Sequence, residues 1–170
     1  AADPVMAAQL LEEAAVQGYA DGQYRLAMIN EEGRGRAKDS AMAFFWYDSA
    51  ASRGSIPAAA RLGILYAEGR GTAKDYMHAA TWFRRAAEAG DARAQYALGF
   101  LYDRGLGVVA DAGEARRWWQ QASDKGVAEA SARLAGRDAP PPFGIVVSVP
   151  GTGEAHAVAP GAADRPLTLA

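Results

Sequence analysis

The side chains that could perform acid–base catalysis at neutral pH are few in this chain. It contains two histidines, His78 and His156, and no cysteine. Histidine is the side chain best suited to proton transfer near pH 7. His78 falls on the side of a predicted helix that we expect to face solvent, and His156 lies in a segment rich in proline, glycine and alanine. Neither histidine looks positioned for catalysis, so the sequence indicates no acid–base centre.

The motifs of common hydrolases are missing as well. The chain has no Ser-x-x-Lys, Gly-x-Ser-x-Gly or His-Glu-x-x-His motif, and without cysteine it can form neither a thiolate zinc site nor a disulfide. The acidic pairs Glu12-Glu13 and Glu31-Glu32 each lie on one predicted helix, whereas a metal site needs ligands from several elements. We therefore expect solvated helix faces at both pairs, no metal or cofactor, and a protein that is not an enzyme.

Two other features look like ligand-binding motifs at first sight. Glycine pairs such as Gly69-x-Gly71 suggest phosphate loops, but each pair follows a predicted helix, whereas a phosphate loop follows a strand. The aromatic runs at 44–47 and 118–119 suggest ligand boxes. Trp46 and Trp118 recur at a fixed step along the chain, which is typical of core positions. Three neighbours fit either a core or an exposed position: Phe44, Tyr47 and Trp119.

A period of 36 residues governs the chain as far as residue 136. Gly18, Gly54, Gly90 and Gly126 are each 36 residues apart. Tandem periods of this length are typical of solenoid arrays. The same step joins the glycine pairs Gly33 and Gly35, Gly69 and Gly71, Gly105 and Gly107, and the series Asp39, Asp75, Asp111; Trp46, Trp82, Trp118; Leu26, Leu62, Leu98, Leu134; Ala43, Ala79, Ala115; and Ala50, Ala86, Ala122.

Each unit divides into two predicted helices separated by glycine turns. In the third unit, the first helix carries its apolar residues at helical spacing and stops at Gly105, which takes positive φ at low cost. The second helix follows Asp111, whose carboxylate can accept hydrogen bonds from the first-turn amides. The predicted helices are Pro4 to Gln17, Asp21 to Glu32, Ser40 to Ser52, Pro57 to Glu68, Tyr76 to Ala89, Ala92 to Arg104, Ala112 to Lys125 and Ala128 to Ala135.

The repeat pattern resembles the Sel-one-like repeat, a relative of the tetratricopeptide repeat. That family has a small-residue helix ending Leu-Gly-x-Leu-Tyr, then Gly-x-Gly, Lys-Asp, Ala, Trp, Ala-Ala and Gly. The resemblance implies an all-α fold, a right-handed α–α superhelix of helical hairpins. The matching residues are Leu98-Gly99-Phe100-Leu101-Tyr102, Gly69-Arg70-Gly71, Lys74-Asp75, Ala79, Trp82, Ala86-Ala87 and Gly90.

On this resemblance, residues 1–136 form the repeat array and residues 137–170 form an extended, non-helical tail. The first unit departs from the pattern, since it has Ala27 and Asn30 where the later units have glycine and tyrosine. Its packing or its exposed face is therefore expected to differ. The full units are 20–55, 56–91 and 92–127, with partial units at 3–19 and 128–136.

The first predicted helix aligns with the second helix of a unit, so its upstream face lacks a partner. It carries Leu10, Leu11 and Val16, whereas the end unit of an array normally presents a polar outer face. Two explanations stay open, a truncated array and a contact surface. The absence of an initial methionine is typical of a processed form or a fragment.

The tail contains Pro140-Pro141-Pro142, whose stiff backbone cannot continue the helices. Beyond it, Ile145, Val147 and Val149 alternate with other residues, which predicts an extended strand. Two interpretations of residues 137–170 stay open. The segment is either a flexible tether to another domain, or a strip that docks on the last helices or in the groove of the array.

The resemblance to tetratricopeptide arrays implies a concave groove lined by the first helix of every unit. Groove positions lie two before, two after and five or six after the repeat leucine, so Met28, Ile64 and Phe100 would form an apolar stripe suited to a peptide. Alternatively, these side chains pack against neighbouring first helices. The predicted groove residues are Tyr24, Arg25, Met28, Arg61, Ile64, Tyr96, Phe100, Asp103 and Arg104, with Glu31, Glu32, Ala60, Ala67, Glu68 and Arg133 beside them.

Charge and length exclude other partner classes. The net charge of −2 and pI of about 5.7 give no bulk attraction toward nucleic acid. The longest apolar run is far shorter than the roughly 20 residues that cross a bilayer.

We expect a scaffold that binds a protein or peptide partner, as the resemblance implies, in bacterial envelope assembly, signalling or polar organisation. We expect it in the periplasm, alone or within a larger membrane-anchored protein. The alternative is a module that binds peptidoglycan or another carbohydrate, with Tyr24, Tyr47 and Trp119 as exposed platforms.

Overall fold

The computed structural model describes residues 3–148 and 155–158, and this part of the chain forms a helical array followed by a short hairpin. Every predicted helix is present, with ends within one residue of the predicted ones. The tail residues 149–154 and 159–170 lie outside the described residues. The elements are α1 Pro4–Val16, α2 Ala20–Glu32, α3 Ser40–Ser52, α4 Ile56–Glu68, α5 Tyr76–Glu88, α6 Ala92–Arg104, α7 Ala112–Asp124, α8 Ala128–Leu134, β1 Ile145–Ser148 and β2 Ala155–Val158.

Each helix packs mainly against its neighbours along the chain. α2 packs on α3, α4 on α5 and α6 on α7 within the units, while α3 on α4 and α5 on α6 join successive units. This nearest-neighbour packing confirms the predicted all-α array of stacked helical hairpins. None of the described helices has both the length and the hydropathy that crossing a bilayer requires.

The predicted turn chemistry is confirmed in the second and third units. Asp75 and Asp111 accept hydrogen bonds from first-turn amides of α5 and α7. Gly69 ends α4 with φ +71. The second glycine of each turn has a different role, because a Cβ at Gly71 would lie 2.0 Å from the Ser40 carbonyl oxygen of the preceding hairpin. The Gly-x-Gly pair therefore allows a left-handed helix end and a close approach between hairpins.

The aromatic core position is the residue after the repeat tryptophan. Tyr47 and Trp119 are 0 and 6 % exposed, and Phe83 is buried at the equivalent place. Trp118 is buried as predicted, whereas Trp46 and Trp82 are only half-buried. The ambiguity at positions 47 and 119 is therefore resolved in favour of the core, because side chains there point into the hairpin.

These rings press directly on the backbone of the first helix. A Cβ at Gly63 would lie 2.7 Å from the Phe83 ring, and one at Gly99 would lie 2.5 Å from the Trp119 indole. The first unit has Ala27 and Tyr47 at the corresponding positions, so its first helix carries a Cβ where the later two units have none.

The tail lies partly against the array. Phe143 is fully buried, and its ring lies 6.0 Å from that of Phe83 in α5 and 5.6 Å from that of Phe100 in α6. Beyond Gly144 the chain forms β1, where the sequence predicts a strand. β1 pairs antiparallel with β2, with Ile145 opposite Val158 and Ser148 opposite Ala155.

Gly99→Ala should lower the free energy of unfolding by about 1–3 kcal/mol, because the added methyl group overpacks the contact with Trp119. The matched control recreates the first-unit pair: in a Trp119→Tyr background, Gly99→Ala should cost at least about 0.5 kcal/mol less. Chemical denaturation of the four proteins of this double-mutant cycle measures both quantities. Equal costs in the two backgrounds would show that the ring does not set the limit on residue 99.

Candidate peptide-binding groove

A cavity of about 450 Å³ lies between the first helices of the three full units. At the position two before the repeat leucine these units carry Tyr24, Ala60 and Tyr96, so a small residue stands between two tyrosines. All three line the cavity. The opening therefore results from a local variation in the repeat, since a large side chain at residue 60 would fill it.

The cavity has an apolar wall and a charged rim. Its other lining residues are Pro57, Arg61, Ile64, Glu68, Arg70, Phe83, Asp91, Arg93, Ala94, Ala97 and Pro142. Sites for organic ligands commonly combine apolar walls with a few placed polar groups, in volumes of about 300–1,000 Å³. The cavity is therefore large enough for one or two side chains of a peptide, with charged groups beside its main chain.

Glu31 is the centre of a part-buried network of hydrogen bonds at one side of this cavity. Its Oε2 accepts a hydrogen bond from the Tyr47 hydroxyl at 2.7 Å and one from Arg61 Nη2 at 3.0 Å. Its Oε1 accepts a third from Arg70 Nη2 at 3.0 Å. The Glu31 side chain is only 9 % exposed, so these bonds to two guanidinium groups replace its lost hydration.

The expectation of a solvated helix face at Glu31-Glu32 is therefore wrong for Glu31. Its position, five residues after the repeat leucine, points into the array between α3 and α4. Arg61 on the next first helix and Arg70 in the next Gly-x-Gly turn converge on it. Glu32 points outward and pairs with the exposed Arg34.

The same network extends to the tail. Arg70 Nε donates to Glu68 Oε2 at 2.5 Å, and Glu68 Oε1 accepts a hydrogen bond from the Gly144 amide at 2.7 Å. A continuous path of hydrogen bonds thus joins the Tyr47 hydroxyl in the first unit to the main chain of the tail. The charges of Arg61 and Arg70 hold the two carboxylates of this path in place.

Burial and the neighbouring charges shift the protonation equilibria of this network. Burial, and then the adjacent Glu31 carboxylate, raise the pKa of the Tyr47 hydroxyl well above its usual value. Burial tends to lower the pKa of Arg61, but the charge of Glu31 and the interactions with Tyr47 together outweigh it, so the net shift of this pKa is upward. Both shifts favour a protonated Tyr47 and a charged Arg61, which are the forms that donate to Glu31.

The structure brings only some of the predicted groove residues together. Tyr24, Arg61, Ile64 and Tyr96 line the cavity described above. Their role in binding a peptide stays a prediction, as it does for the residues that lie elsewhere: Arg25, Met28, Phe100, Asp103 and Arg104.

The first-unit residues Arg25 and Met28 line a separate depression on α2. Arg25 is exposed and pairs with Asp21 at 2.8 Å. Tyr24 is the residue of the first unit that lines the cavity, and Met28 lies outside it. The apolar stripe expected along the groove is therefore interrupted at Met28.

At the other end of the expected stripe, Phe100 is buried beneath the tail. Its ring makes an edge-to-face contact with Phe143, and the Arg104 guanidinium lies 5.7 Å from its centroid. Asp103 is exposed beside Arg104, with 3.4 Å between their charged atoms. The open part of the groove therefore lies between Tyr24 and Tyr96, short of Phe100.

Sequence reasoning did not single out several cavity residues. Arg70 lies in a turn that the repeat explained completely, and Pro57, Asp91 and Arg93 lie at the starts of first helices. The local sequence carries no signal for them, since their contact with the cavity depends on how neighbouring units stack.

The platforms expected for a carbohydrate-binding module are not available on the surface. Tyr47 and Trp119 are core residues, and only the half-buried Tyr24 reaches the cavity. That expectation is wrong for these two rings, because they pack against the first helices of their hairpins. Stacking on a sugar requires an accessible ring face.

His78 is an exposed surface residue, as expected. Its Nδ1 lies 2.7 Å from Oδ2 of Asp75, the residue that caps α5, and its ring stacks on that of Tyr66 at 5.0 Å. The backbone amide and the ring of His78 lower the pKa of the Asp75 carboxyl. Within the described residues, no three histidine, aspartate or glutamate side chains converge as a metal site would require.

The sequence and fold of the chain are similar to those of several known proteins. Residues 1–19, 20–55, 56–91 and 92–127 match the family model of the Sel1 repeat. Among solved structures, a Sel1 repeat protein from Oxalobacter formigenes is 39 % identical with a TM-score of 0.74, and the match covers 78 % of this chain and 54 % of that one. No curated protein sequence matches the chain.

Two further solved structures show the same architecture. The antigen c5321 of uropathogenic Escherichia coli strains, described as protective and as displaying an SLR fold, is 32 % identical with a TM-score of 0.70, over 76 % of this chain and 29 % of that one. Cysteine-rich protein B of Helicobacter pylori is 21 % identical with a TM-score of 0.58, over 75 % of this chain and 96 % of that one, and shows the fold alone. The chain thus spans about half of the Oxalobacter protein and less than a third of the antigen.

Glu31→Gln should lower the free energy of unfolding by about 1–3 kcal/mol, because it removes the charge that Arg61 and Arg70 share. The half-exposed arginines keep this loss below that of a fully buried pair. Glu32→Gln, the adjacent carboxylate with an exposed partner, is the matched control and should change stability by less than about 0.5 kcal/mol. Denaturation in urea measures both free energies of unfolding. Equal losses in the two variants would contradict a special contribution of the Glu31 network to stability.

The raised pKa of Tyr47 predicts alkaline destabilisation. A tyrosine in the unfolded chain ionises near pH 10, whereas the folded state resists ionisation, so the stability that Tyr47 contributes is complete below pH 10 and declines as the pH rises further. In Tyr47→Phe the free energy of unfolding should fall less steeply between about pH 10 and 11.5. Denaturation series at pH 8 and across that range give the slope of the free energy of unfolding against pH. Identical slopes for the wild type and Tyr47→Phe would contradict the raised pKa of Tyr47.

Proposed function

Because the chain belongs to the Sel1 repeat family, whose members are generally non-catalytic scaffolds that bind protein partners, we propose that it holds a peptide segment of a protein partner in its concave groove. Family membership confirms the resemblance seen in the sequence. The proposal adds a location, the cavity between Tyr24 and Tyr96, and a ligand class, a peptide in extended or helical form.

The observation that carries this proposal is the composition of that cavity. Ile64, Ala60 and Ala97 give an apolar surface, while Arg61, Arg70 and Arg93 bring guanidinium groups to its rim beside Glu68 and Asp91. Apolar contacts provide the area for burying a peptide side chain, and charges of both signs can pair with the polar atoms of a peptide main chain.

The cellular setting forms part of the same proposal. We place the protein in the periplasm of a bacterium, in envelope assembly, signalling or polar organisation, on the basis of the family resemblance and of a composition rich in alanine, arginine and glycine. Fractionation of bacteria that produce the native full-length protein tests this setting. Recovery of the protein in the cytoplasmic fraction alone would contradict it.

Ile64→Lys should weaken peptide binding at least tenfold, because it places a charge on the apolar wall of the cavity. Peptides selected by the wild-type chain from a random phage-displayed library are synthesised, and their dissociation constants are measured by titration calorimetry. Met77→Lys is the matched control, since Met77 is 70 % exposed and does not line the cavity. Equal affinity of wild-type and Ile64→Lys chains for these peptides would contradict the proposal that peptides bind in this cavity.

A further inference from the structure

We propose that residues 139–144 are an intramolecular ligand of the groove, and that the pocket holding Phe143 recognises an extended, proline-rich segment of a protein partner that ends in an aromatic residue. In this view the tail competes with the partner and regulates access to the groove. The inference rests on the proposed function, because it places the partner on the same concave surface, and it adds the chemistry that the partner must have.

Phe143 occupies a pocket formed entirely by the array. Its ring stacks on Phe83 at an interplanar angle of 12°, meets Phe100 edge to face at 87°, and lies 6.3 Å from Tyr76. It has no exposed surface. A single aromatic side chain, fully desolvated in a pocket of other rings, is the usual anchor of a protein–peptide complex.

The array recognises the backbone of the segment as well as its anchor. The Tyr96 hydroxyl donates to the Pro140 carbonyl at 2.5 Å, and Arg133 Nη2 donates to the Ala139 carbonyl at 2.6 Å. Glu68 Oε1 accepts the Gly144 amide. Every one of these bonds joins a side chain of the array to a main-chain atom of the segment, so a foreign segment of the same conformation can form all three.

The prolines lower the conformational entropy that such a segment loses on binding. Pro140, Pro141 and Pro142 restrict the backbone to extended conformations before binding, so little conformational entropy is lost when the segment docks. A partner that carries prolines before its aromatic residue shares this advantage. A flexible segment with the same anchor would bind more weakly.

The occupied and open parts of the groove are continuous. Pro142, next to Phe143 in the chain, lines the open cavity, and so does Ala97. The position before the repeat leucine carries Arg25, Arg61 and Arg133 in the other units, so Ala97 lacks the long side chain found there. A partner segment can therefore extend from the Phe143 pocket into the cavity beside Ile64.

The connection between α8 and the segment is suited to release. Residues 135–138 are all exposed, and Gly136 adopts φ +69 at the end of α8. Undocking of residues 139–144 consequently breaks contacts of the segment itself and none within the helical hairpins.

A synthetic peptide of residues 138–145, Asp-Ala-Pro-Pro-Pro-Phe-Gly-Ile, tests the proposal when it is labelled with a fluorophore and titrated with the full 170-residue chain. Phe143→Ala should empty the pocket, so this variant should bind the peptide at least tenfold more tightly than the wild type, in which the tail competes. The same peptide with alanine in place of phenylalanine is the matched control and should bind neither protein. Fluorescence anisotropy gives the dissociation constants.

Two results would overturn the proposal: equal affinities of wild-type and Phe143→Ala chains, or an alanine peptide that binds as well as the original. Circular dichroism shows whether the variant keeps its helices. If helicity is lost, added peptide should restore it, and a failure to do so shows that the segment is a permanent part of the fold. A wild-type chain that is dimeric in gel filtration and exchanges labelled tails would identify a second copy as the occupant, against the proposal.

The outcomes also separate this inference from the function proposed above. If the tail peptide fails to bind while library peptides lose affinity for Ile64→Lys, the groove binds peptides but the tail is not its model ligand. If the tail peptide binds to Phe143→Ala while Ile64→Lys has no effect on library peptides, the aromatic pocket binds and the open cavity does not.

Discussion

Contact between an aromatic ring of the second helix and a glycine of the first sets the spacing of the two helices in the second and third hairpins. Phe83 lies against Gly63 and Trp119 against Gly99, closely enough that no Cβ fits between them. Each first helix is held against its partner in this way, and the first helices of successive units align along the wall that contains the cavity. The groove, its charges and the docking of the tail all depend on that alignment.

Polar groups along this wall are arranged to satisfy one another across unit boundaries. Glu31 of the first unit binds Arg61 and Arg70 of the second, and Arg70 in turn binds Glu68. Removing two carboxylates from water is costly, and it is compensated here by charged hydrogen bonds of good geometry. The network fixes the orientation of these side chains next to the open cavity.

Substitutions at single repeat positions make the surface of this wall differ from one unit to the next. Alanine at residue 60 opens a cavity between two tyrosines, and residue 97, which also lines this cavity, is alanine where the other units have arginine. The tail uses the adjoining aromatic pocket. A regular array thus acquires a specific surface through a few substitutions at positions that the packing of hairpins does not constrain.

The sequence alone determined the helices, their caps and the order of the hairpins, because these depend on residues close together in the chain and on a period repeated three times over. The resemblance to tetratricopeptide arrays also pointed to Tyr24, Arg61, Ile64 and Tyr96, which line the cavity, while their role in binding stays a prediction. Only the tertiary structure decided that Tyr47 and Trp119 are core residues, that the Glu31 side chain is largely shielded from solvent by two arginines, and that Phe143 covers Phe100. Those outcomes depend on contacts between units or across long separations in the chain, such as the 76 residues between Glu68 and Gly144. No local sequence pattern specifies which distant side chain will fill a given space in the array.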